Sequence, residues 1–167
     1  AKGAYTDAKA ERKGFFEAAQ QGKGTIFTVL LPTKLREKPV KILIVEDDKL
    51  VRDVLIEALT RDRPYVVETV SNGTEALIKI GTYHPDVLIL DIFMPGMDGV
   101  EVCRSIKEEP GLFGMKVIVI TGYPADPKLN QTAEMGFSNV WEKPFDLSDF
   151  VKEVDKIVKM FTKHSKV

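Results

Sequence analysis

The sequence predicts an α/β domain in which a central parallel sheet carries helices on both faces. From Val40 onward, short apolar segments rich in Val, Ile and Leu alternate with segments whose apolar residues recur at helical spacing. Turn residues separate these segments at short intervals. Five strand–helix repeats in succession imply right-handed crossovers, which place the helices in two layers around one sheet.

Five segments have the composition of β-strands. Residues 41–45, 86–90 and 116–120 are almost continuous in Val, Ile and Leu, as is typical of strands buried on both faces of a parallel sheet. The other two predicted strands cover 65–70 and 139–141. Each of the five is followed by a segment that can form a helix.

The predicted helices differ in the strength of their pattern. Apolar residues between 50 and 59 fall on one stripe, with Asp47 or Asp48 placed to cap the N-terminus. A cleaner stripe runs through residues 147–161. Shorter helices are predicted over 74–80, 100–107 and 126–135.

Residues 1–37 lie outside this alternation. A helix over 6–20, a turn over 21–24 and a strand over 25–31 that ends at Pro32 are predicted there, with a charged linker over 34–39. The predicted organisation is therefore an N-terminal helix/strand extension (1–37), the α/β domain (38–162) and a tail (163–167).

Composition excludes several classes of protein. A formal net charge of −1 gives no basic surface for nucleic acid, and the apolar runs are too short to span a bilayer. Cys103 is the single cysteine, which excludes an intrachain disulfide and a thiolate zinc site. No secretory signal pattern opens the sequence. We therefore expect a cytoplasmic protein that contacts neither nucleic acid nor membrane.

Acidic residues follow two of the predicted strands. Glu46, Asp47 and Asp48 come directly after the first strand, and Asp91 follows the third. Ligand sites in open parallel sheets lie at the carboxyl ends of the strands, so these carboxylates converge if the two strands are neighbours. Clustered carboxylates raise each other's pKa unless a cation compensates. Carboxylate, carbonyl and water oxygens suit Mg²⁺.

A hydroxyl and an ammonium follow two further strands, at Thr121 and Lys143. With a carboxylate and a metal ion they form a set suited to phosphoryl transfer. Asp91 would attack phosphorus to give an aspartyl phosphate, and Lys143 and the metal would stabilise the charge on the transferred oxygens. Each residue also has a purely structural interpretation, such as a helix cap for Asp48. Their occurrence at four strand ends favours the chemical one.

Residues 40–162 resemble the receiver domain of bacterial response regulators. The resemblance rests on residues 42–48 (ILIVEDD), 86–91 (DVLILD), 94–99 (MPGMDG), 119–122 (VITG) and 142–145 (EKPF), in this order and spacing. It implies a flavodoxin-like sheet with strand order 2-1-3-4-5. It also implies a cis peptide bond between Lys143 and Pro144, which X-Pro bonds tolerate.

The resemblance assigns roles to the acidic residues. Asp91 is the expected phosphoacceptor. Asp47 and Asp91 are expected to bind Mg²⁺ together with the main-chain carbonyl of Phe93, and Glu46 is expected to reach the ion through water.

The remaining expectations concern signalling. Thr121 and Lys143 would contact the phosphoryl group and report its presence to the far face of the domain. The donor would be a histidine kinase or a histidine phosphotransfer domain. The chain stops soon after the last predicted helix, so we expect the output to be contact with a downstream protein near the fourth and fifth helices. The sequence leaves open whether the protein forms a homodimer.

One position departs from the family pattern. Many members carry an aromatic residue three positions before the lysine, where this chain has Val140, followed by Trp141. Because neighbours in a strand face opposite sides, Trp141 does not replace that aromatic residue. We expect Trp141 to serve in packing or at an interface.

Residues 22–32 resemble the last hairpin strand of the ATP-binding domain of sensor histidine kinases. This resemblance implies a receiver fused downstream of a kinase, as in hybrid sensor kinases. The glycine-rich nucleotide boxes, the metal-binding Asn and the phosphoacceptor His region of such kinases are absent from the sequence. The chain by itself is therefore not expected to bind ATP.

Two other functions compete with the phosphoacceptor. An aspartyl-phosphate phosphotransferase or phosphatase of the haloacid-dehalogenase type usually has a second Asp two residues after its nucleophile, where this chain has Phe93. A pseudo-receiver that only binds partners has no need of clustered carboxylates, so the set of Asp47, Asp91, Thr121 and Lys143 argues against it.

The residues beside the site predict slow loss of the phosphoryl group. Phe93 and Tyr123 lie two residues after Asp91 and Thr121, and neither is a carboxylate or amide that could orient an attacking water. We expect slow self-dephosphorylation, measured as decay of the phosphorylated mass after the donor is removed. A half-life of only seconds at room temperature would contradict this prediction.

Overall fold

The computed structural model describes residues 15–16, 31–32, 39–112 and 114–164. The chain divides into two units, 1–38 and 39–167. In the first unit, Phe15–Phe16 (β1) pairs antiparallel with Leu31–Pro32 (β2). The helix predicted over 6–20 is therefore wrong at Phe15 and Phe16, whose aromatic side chains favour strands. The remainder of that helix, the turn over 21–24 and residues 25–30 of the predicted strand lie outside the described residues.

The second unit alternates five strands with five helices. The strands are Val40–Val45 (β3), Tyr65–Val70 (β4), Val87–Asp91 (β5), Lys116–Thr121 (β6) and Val140–Glu142 (β7). The helices are Lys49–Thr60 (α1), Gly73–Tyr83 (α2), Gly99–Glu108 (α3), Lys128–Glu134 (α4) and Leu147–His164 (α5).

These strands form one parallel sheet in the order β4-β3-β5-β6-β7. Numbered within the sheet, this is 2-1-3-4-5, so the predicted fold is confirmed. β3 and β5 are neighbours, and their carboxyl ends meet at one edge of the sheet. No helix in the described parts of this unit is long and apolar enough to cross a membrane.

The central strands are buried on both faces, as their composition predicts. Every residue of β5 is buried. On one face, Leu43, Val45, Leu88 and Leu90 pack against apolar residues of α2 and α3. On the other, Ile42, Ile44, Val87 and Ile89 pack against α1 and α5. The core thus fixes the strand register, and with it the position of each residue that follows a strand.

Side chains with oxygen acceptors cap the helices near the carboxyl edge. The Asp48 carboxylate accepts from the backbone N–H groups of Leu50 and Val51, at 2.7 and 3.3 Å. Asp98 caps α3 in a capping box with Glu101. Asp48 rather than Asp47 therefore caps α1, which leaves the Asp47 carboxylate available to the site.

Gly99 lets α3 begin against the backbone that carries Asp91. Its N–H donates to the carbonyl oxygen of Ile92 at 3.0 Å. A Cβ at Gly99 would lie 2.4 Å from the carbonyl oxygen of Asp91 and 2.7 Å from Cα of Ile92. Those atoms belong to the backbone at the end of the central strand, which is buried on both sides and has little room to shift.

We expect Gly99→Ala to destabilise the domain by about 2 kcal/mol, because the added methyl group overpacks the backbone after β5. Gly81→Ala is the matched control, since a Cβ there meets nothing within 4 Å. That change, inside α2, should stabilise the protein by up to about 1 kcal/mol. Urea unfolding of the three proteins measures both effects. Equal stability of the two variants would contradict the steric argument.

Candidate functional site

Neighbouring strands bring the predicted site residues together at the carboxyl edge. The β3–β5 pairing places Glu46, just after β3, beside Asp91 at the end of β5. Thr121 ends β6, and its carbonyl accepts from the Lys143 N–H at 2.7 Å. The residues singled out at four strand ends therefore share one edge of the sheet.

Three carboxylates form an acidic cluster there. One oxygen from each of Glu46, Asp47 and Asp91 lies within 4.8 Å of the others. Glu46 and Asp91 are only 1% and 5% exposed, whereas Asp47 is exposed. Such a group of hard oxygen donors is chemically suited to a divalent cation such as Mg²⁺. Repulsion among the carboxylates also requires a compensating positive charge.

The Lys143 ammonium supplies positive charge to this cluster. Its Nζ donates to Oε2 of Glu46 at 2.5 Å and to Oδ2 of Asp91 at 2.6 Å. Burial lowers the pKa of Lys143, but its hydrogen bonds to the two carboxylates outweigh burial and raise that pKa above the usual value. For Glu46, burial raises the pKa above its usual value, although the hydrogen bond from Lys143 opposes this change. Lys143 is therefore a permanent cation at neutral pH.

Backbone N–H groups hold the other oxygens of the site. Oδ1 of Asp91 accepts from the Phe93 N–H at 2.9 Å, and Oε1 of Glu46 accepts from the Asp48 N–H at 3.2 Å. The buried Thr121 hydroxyl accepts from the Tyr123 N–H at 2.9 Å. Because a hydroxyl is both donor and acceptor, Thr121 keeps its hydrogen for another acceptor. The carboxylates of Asp91 and Glu46 are thus held from two sides.

Two features near the site were not predicted from the sequence. The Arg52 guanidinium donates to the main-chain carbonyls of Glu46 and Asp47 at 2.5 and 2.9 Å. The sequence offers one indication of this contact. Arg52 lies four residues after Asp48, on the first turn of α1, from which a long side chain can fold back over the loop. The second feature joins the loops after β5 and β6.

In that second feature, the Phe93 and Tyr123 rings meet edge to face, with centroids 4.8 Å apart. The Lys128 Nζ lies 5.6 Å from the Phe93 ring centroid and donates to Asp98 at 2.6 Å. Burial raises the pKa of Asp98, but the Lys128 and backbone hydrogen bonds lower it below the usual value overall. Aromatic rings rather than carboxylates or amides therefore occupy the two positions from which a side chain could orient an attacking water.

The geometry of β7 agrees with the sequence analysis. Val140 is 39% exposed, whereas Trp141 is half-buried and lies edge-on to Phe145 and Phe150, at centroid distances of 5.7 and 5.2 Å. The two residues therefore face opposite sides, and Trp141 is a packing residue. The Lys143-Pro144 peptide bond is cis, as the resemblance implied.

Replacing Lys143 with Met would leave Glu46 and Asp91 buried without their ammonium partner. We expect a loss of about 3 kcal/mol at neutral pH without Mg²⁺. Losing Lys143 should raise the pKa of Glu46 further. A protonated carboxyl needs no counter-charge, so the deficit relative to wild type should shrink as pH falls.

Urea unfolding of wild type and Lys143→Met at about pH 7.5 and about pH 5 measures this linkage. Lys156→Met is the matched control, since that lysine side chain is 66% exposed. The control should change stability by no more than about 0.5 kcal/mol. A deficit of Lys143→Met that grows on acidification would contradict the electrostatic account.

Comparison with known proteins identifies the family. The family model described as "Response regulator receiver domain" matches residues 42–155. The response regulator MprA of Mycolicibacterium vanbaalenii is 32% identical over 124 residues, which cover 74% of this chain and 52% of that protein. The chain thus spans about half the length of the curated relatives it matches.

Solved structures agree with this family match. The signal receiver domain of a DNA-binding response regulator (merR) from Colwellia psychrerythraea 34H is 32% identical, with a TM-score of 0.67 over 72% of this chain and 98% of that one. A BeF3-activated DrrB receiver domain is 27% identical, with a TM-score of 0.64 over 73% of this chain and 99% of that one. With its β4-β3-β5-β6-β7 sheet and the acidic cluster at the carboxyl ends of β3 and β5, this chain belongs to the response regulator receiver family.

Proposed function

We propose that this chain accepts a phosphoryl group on Asp91 from a phosphohistidine and that phosphorylation changes its contacts with other proteins. The observation that carries the proposal is the placement of Asp91. Its buried carboxylate ends the central strand β5, accepts from the Lys143 ammonium at 2.6 Å and lies beside two further carboxylates. A carboxylate nucleophile next to a fixed cation suits formation of an aspartyl phosphate.

The acidic cluster fits a Mg²⁺ ion by the chemistry of its donors. Asp47 and Asp91 would hold the ion with the main-chain carbonyl of Phe93, and Glu46 would act through a water molecule. When bound, the ion supplies positive charge for the oxygens of the transferred group. The carboxylates that now share the Lys143 ammonium would then have a second cation, which relieves their mutual repulsion.

The transfer itself requires little covalent chemistry from the protein. An oxygen of Asp91 forms a bond to phosphorus while the bond from phosphorus to the donor imidazole nitrogen breaks, and the electron pair stays on that nitrogen. The raised pKa of Lys143 means that this residue keeps its proton and acts by charge. Lys143 and the Thr121 hydroxyl would donate to the phosphoryl oxygens.

Transfer of the phosphoryl group would then alter the loops around the site. Lys143 now binds Glu46 and Asp91, so a phosphoryl group on Asp91 would redirect part of its hydrogen bonding. Thr121 would draw the loop after β6 toward the site. Because Val140 stands where many relatives have an aromatic residue, we expect the output to depend on this loop and on α4 rather than on a ring rotation.

The partners follow from this chemistry. A histidine kinase or a histidine phosphotransfer domain would supply the phosphohistidine, and a downstream protein would read the surface near α4 and α5. We further propose that residues 1–37 are the end of a kinase ATP-binding domain, residues 38–162 the receiver and residues 163–167 a tail. The resemblance of residues 22–32 to the last hairpin strand of such domains supports this division.

Incubation with acetyl phosphate and Mg²⁺, followed by intact-mass measurement, tests the phosphoacceptor. We expect the wild type to gain the mass of one phosphoryl group and Asp91→Ala to gain none. Removing Mg²⁺ with EDTA should abolish the gain, since Asp47 and Asp91 would lose the cation they share.

Other outcomes separate the alternatives. Phosphorylation of Asp91→Ala to the wild-type level would contradict the assignment of Asp91. A folded wild type that neither gains mass nor binds Mg²⁺ would favour a pseudo-receiver that only binds partners. Steady release of phosphate from small phosphoesters would favour a phosphatase, against which the side chain of Phe93 argues.

A further inference from the structure

The loop between β3 and α1 is held from its main-chain side by one arginine. This loop carries Glu46 and Asp47, two of the three carboxylates in the acidic cluster. Nη1 of Arg52, a half-buried residue of α1, donates to the carbonyl of Glu46 at 2.5 Å and to the carbonyl of Asp47 at 2.9 Å. One guanidinium nitrogen has two hydrogens, so it can serve both carbonyls.

The two carboxylates differ in how their side chains are fixed. Glu46 accepts from the Lys143 ammonium and from the Asp48 N–H, and its own N–H donates to the Val70 carbonyl of β4. The Asp47 carboxylate is exposed, and within the described part of the chain it makes no hydrogen bond or ion pair. The backbone that Arg52 holds therefore fixes the point from which this side chain reaches the cluster.

We propose that Arg52 is a positioning residue for Mg²⁺, which aims the Asp47 carboxylate into the acidic cluster by fixing the carbonyls of Glu46 and Asp47. This inference rests on the proposed function, because it assumes that the cluster binds Mg²⁺. Holding a ligand before the ion arrives lowers the entropy lost on binding. Groups that orient metal ligands commonly change metal affinity without touching the metal.

Electrostatics alone would give Arg52 the opposite effect. Its guanidinium is a permanent positive charge beside the acidic cluster, so it repels a divalent cation. If charge were its only contribution, removing it would tighten Mg²⁺ binding. If positioning dominates, removing it weakens binding. The sign of the change therefore distinguishes the two effects.

Titration calorimetry with MgCl₂ on the full chain measures this sign. We expect Arg52→Gln to raise the dissociation constant for Mg²⁺ about tenfold. Arg52→Lys keeps the charge on a shorter side chain that reaches the two carbonyls less well, so its dissociation constant should fall between those of Arg52→Gln and wild type. Arg61→Gln removes the same charge at the far end of α1, where the Arg61 side chain is 69% exposed, and should bind Mg²⁺ like wild type.

Phosphorylation by acetyl phosphate gives a second readout. We expect Arg52→Gln to need more Mg²⁺ for half-maximal rate and to approach the wild-type rate when Mg²⁺ is saturating. A general loss of structure would instead lower the rate at every Mg²⁺ concentration, including saturating ones. Thermal unfolding of each variant checks folding, and Arg52→Lys preserves the test if Arg52→Gln does not fold.

The outcomes separate this inference from the proposed function. Unchanged or tighter Mg²⁺ binding by Arg52→Gln, with normal binding by wild type, would overturn the role of Arg52 alone. Equal binding by Arg52→Gln, Arg52→Lys and wild type would show that the hydrogen bonds from Arg52 do not aim the Asp47 carboxylate. A wild type that binds no Mg²⁺ and takes no phosphoryl group would overturn the proposed function together with this inference.

Discussion

The bridge from the Lys143 ammonium to two buried carboxylates is the interaction on which the site depends. Glu46 and Asp91 lie at the ends of neighbouring strands and are nearly inaccessible to solvent. Burial disfavours both charges, and each carboxylate repels the other. An ammonium at 2.5 and 2.6 Å offsets that cost. Since Lys143 follows the outer strand β7, this bridge also connects that strand to the inner strands β3 and β5.

The rest of the fold supplies the rigidity that such a charged site requires. β5 is buried along its whole length, and Gly99 lets α3 pack directly on the backbone that follows it. Backbone N–H groups of Phe93 and Asp48 hold the outer carboxylate oxygens. The acidic cluster is thus preorganised by apolar packing beneath it and by hydrogen bonds around it, with Asp47 as its least restrained member.

Sequence patterns predicted the strands and helices accurately where the apolar pattern was strong, and less accurately where it was weak. The three Val- and Ile-rich strands agree closely with β3, β5 and β6. Helix α4 is shorter than predicted because Pro127 disfavours helical backbone at the residue before it and Gly136 adopts a positive φ. Phe15 and Phe16 form a strand rather than a helix, because a pairing partner at Leu31–Pro32 outweighs weak local periodicity.

The sequence by itself determined the order of the elements and the residue types at the strand ends, because both follow from local patterns along the chain. It also determined that Val140 and Trp141 face opposite sides, since strand alternation is local. Only the tertiary structure decided that Lys143 reaches two carboxylates and that Arg52 folds back over the loop after β3. The Lys143 contacts depend on the register between strands, which brings together residues far apart in sequence. The Arg52 contacts depend on side-chain packing, which selects one rotamer among several.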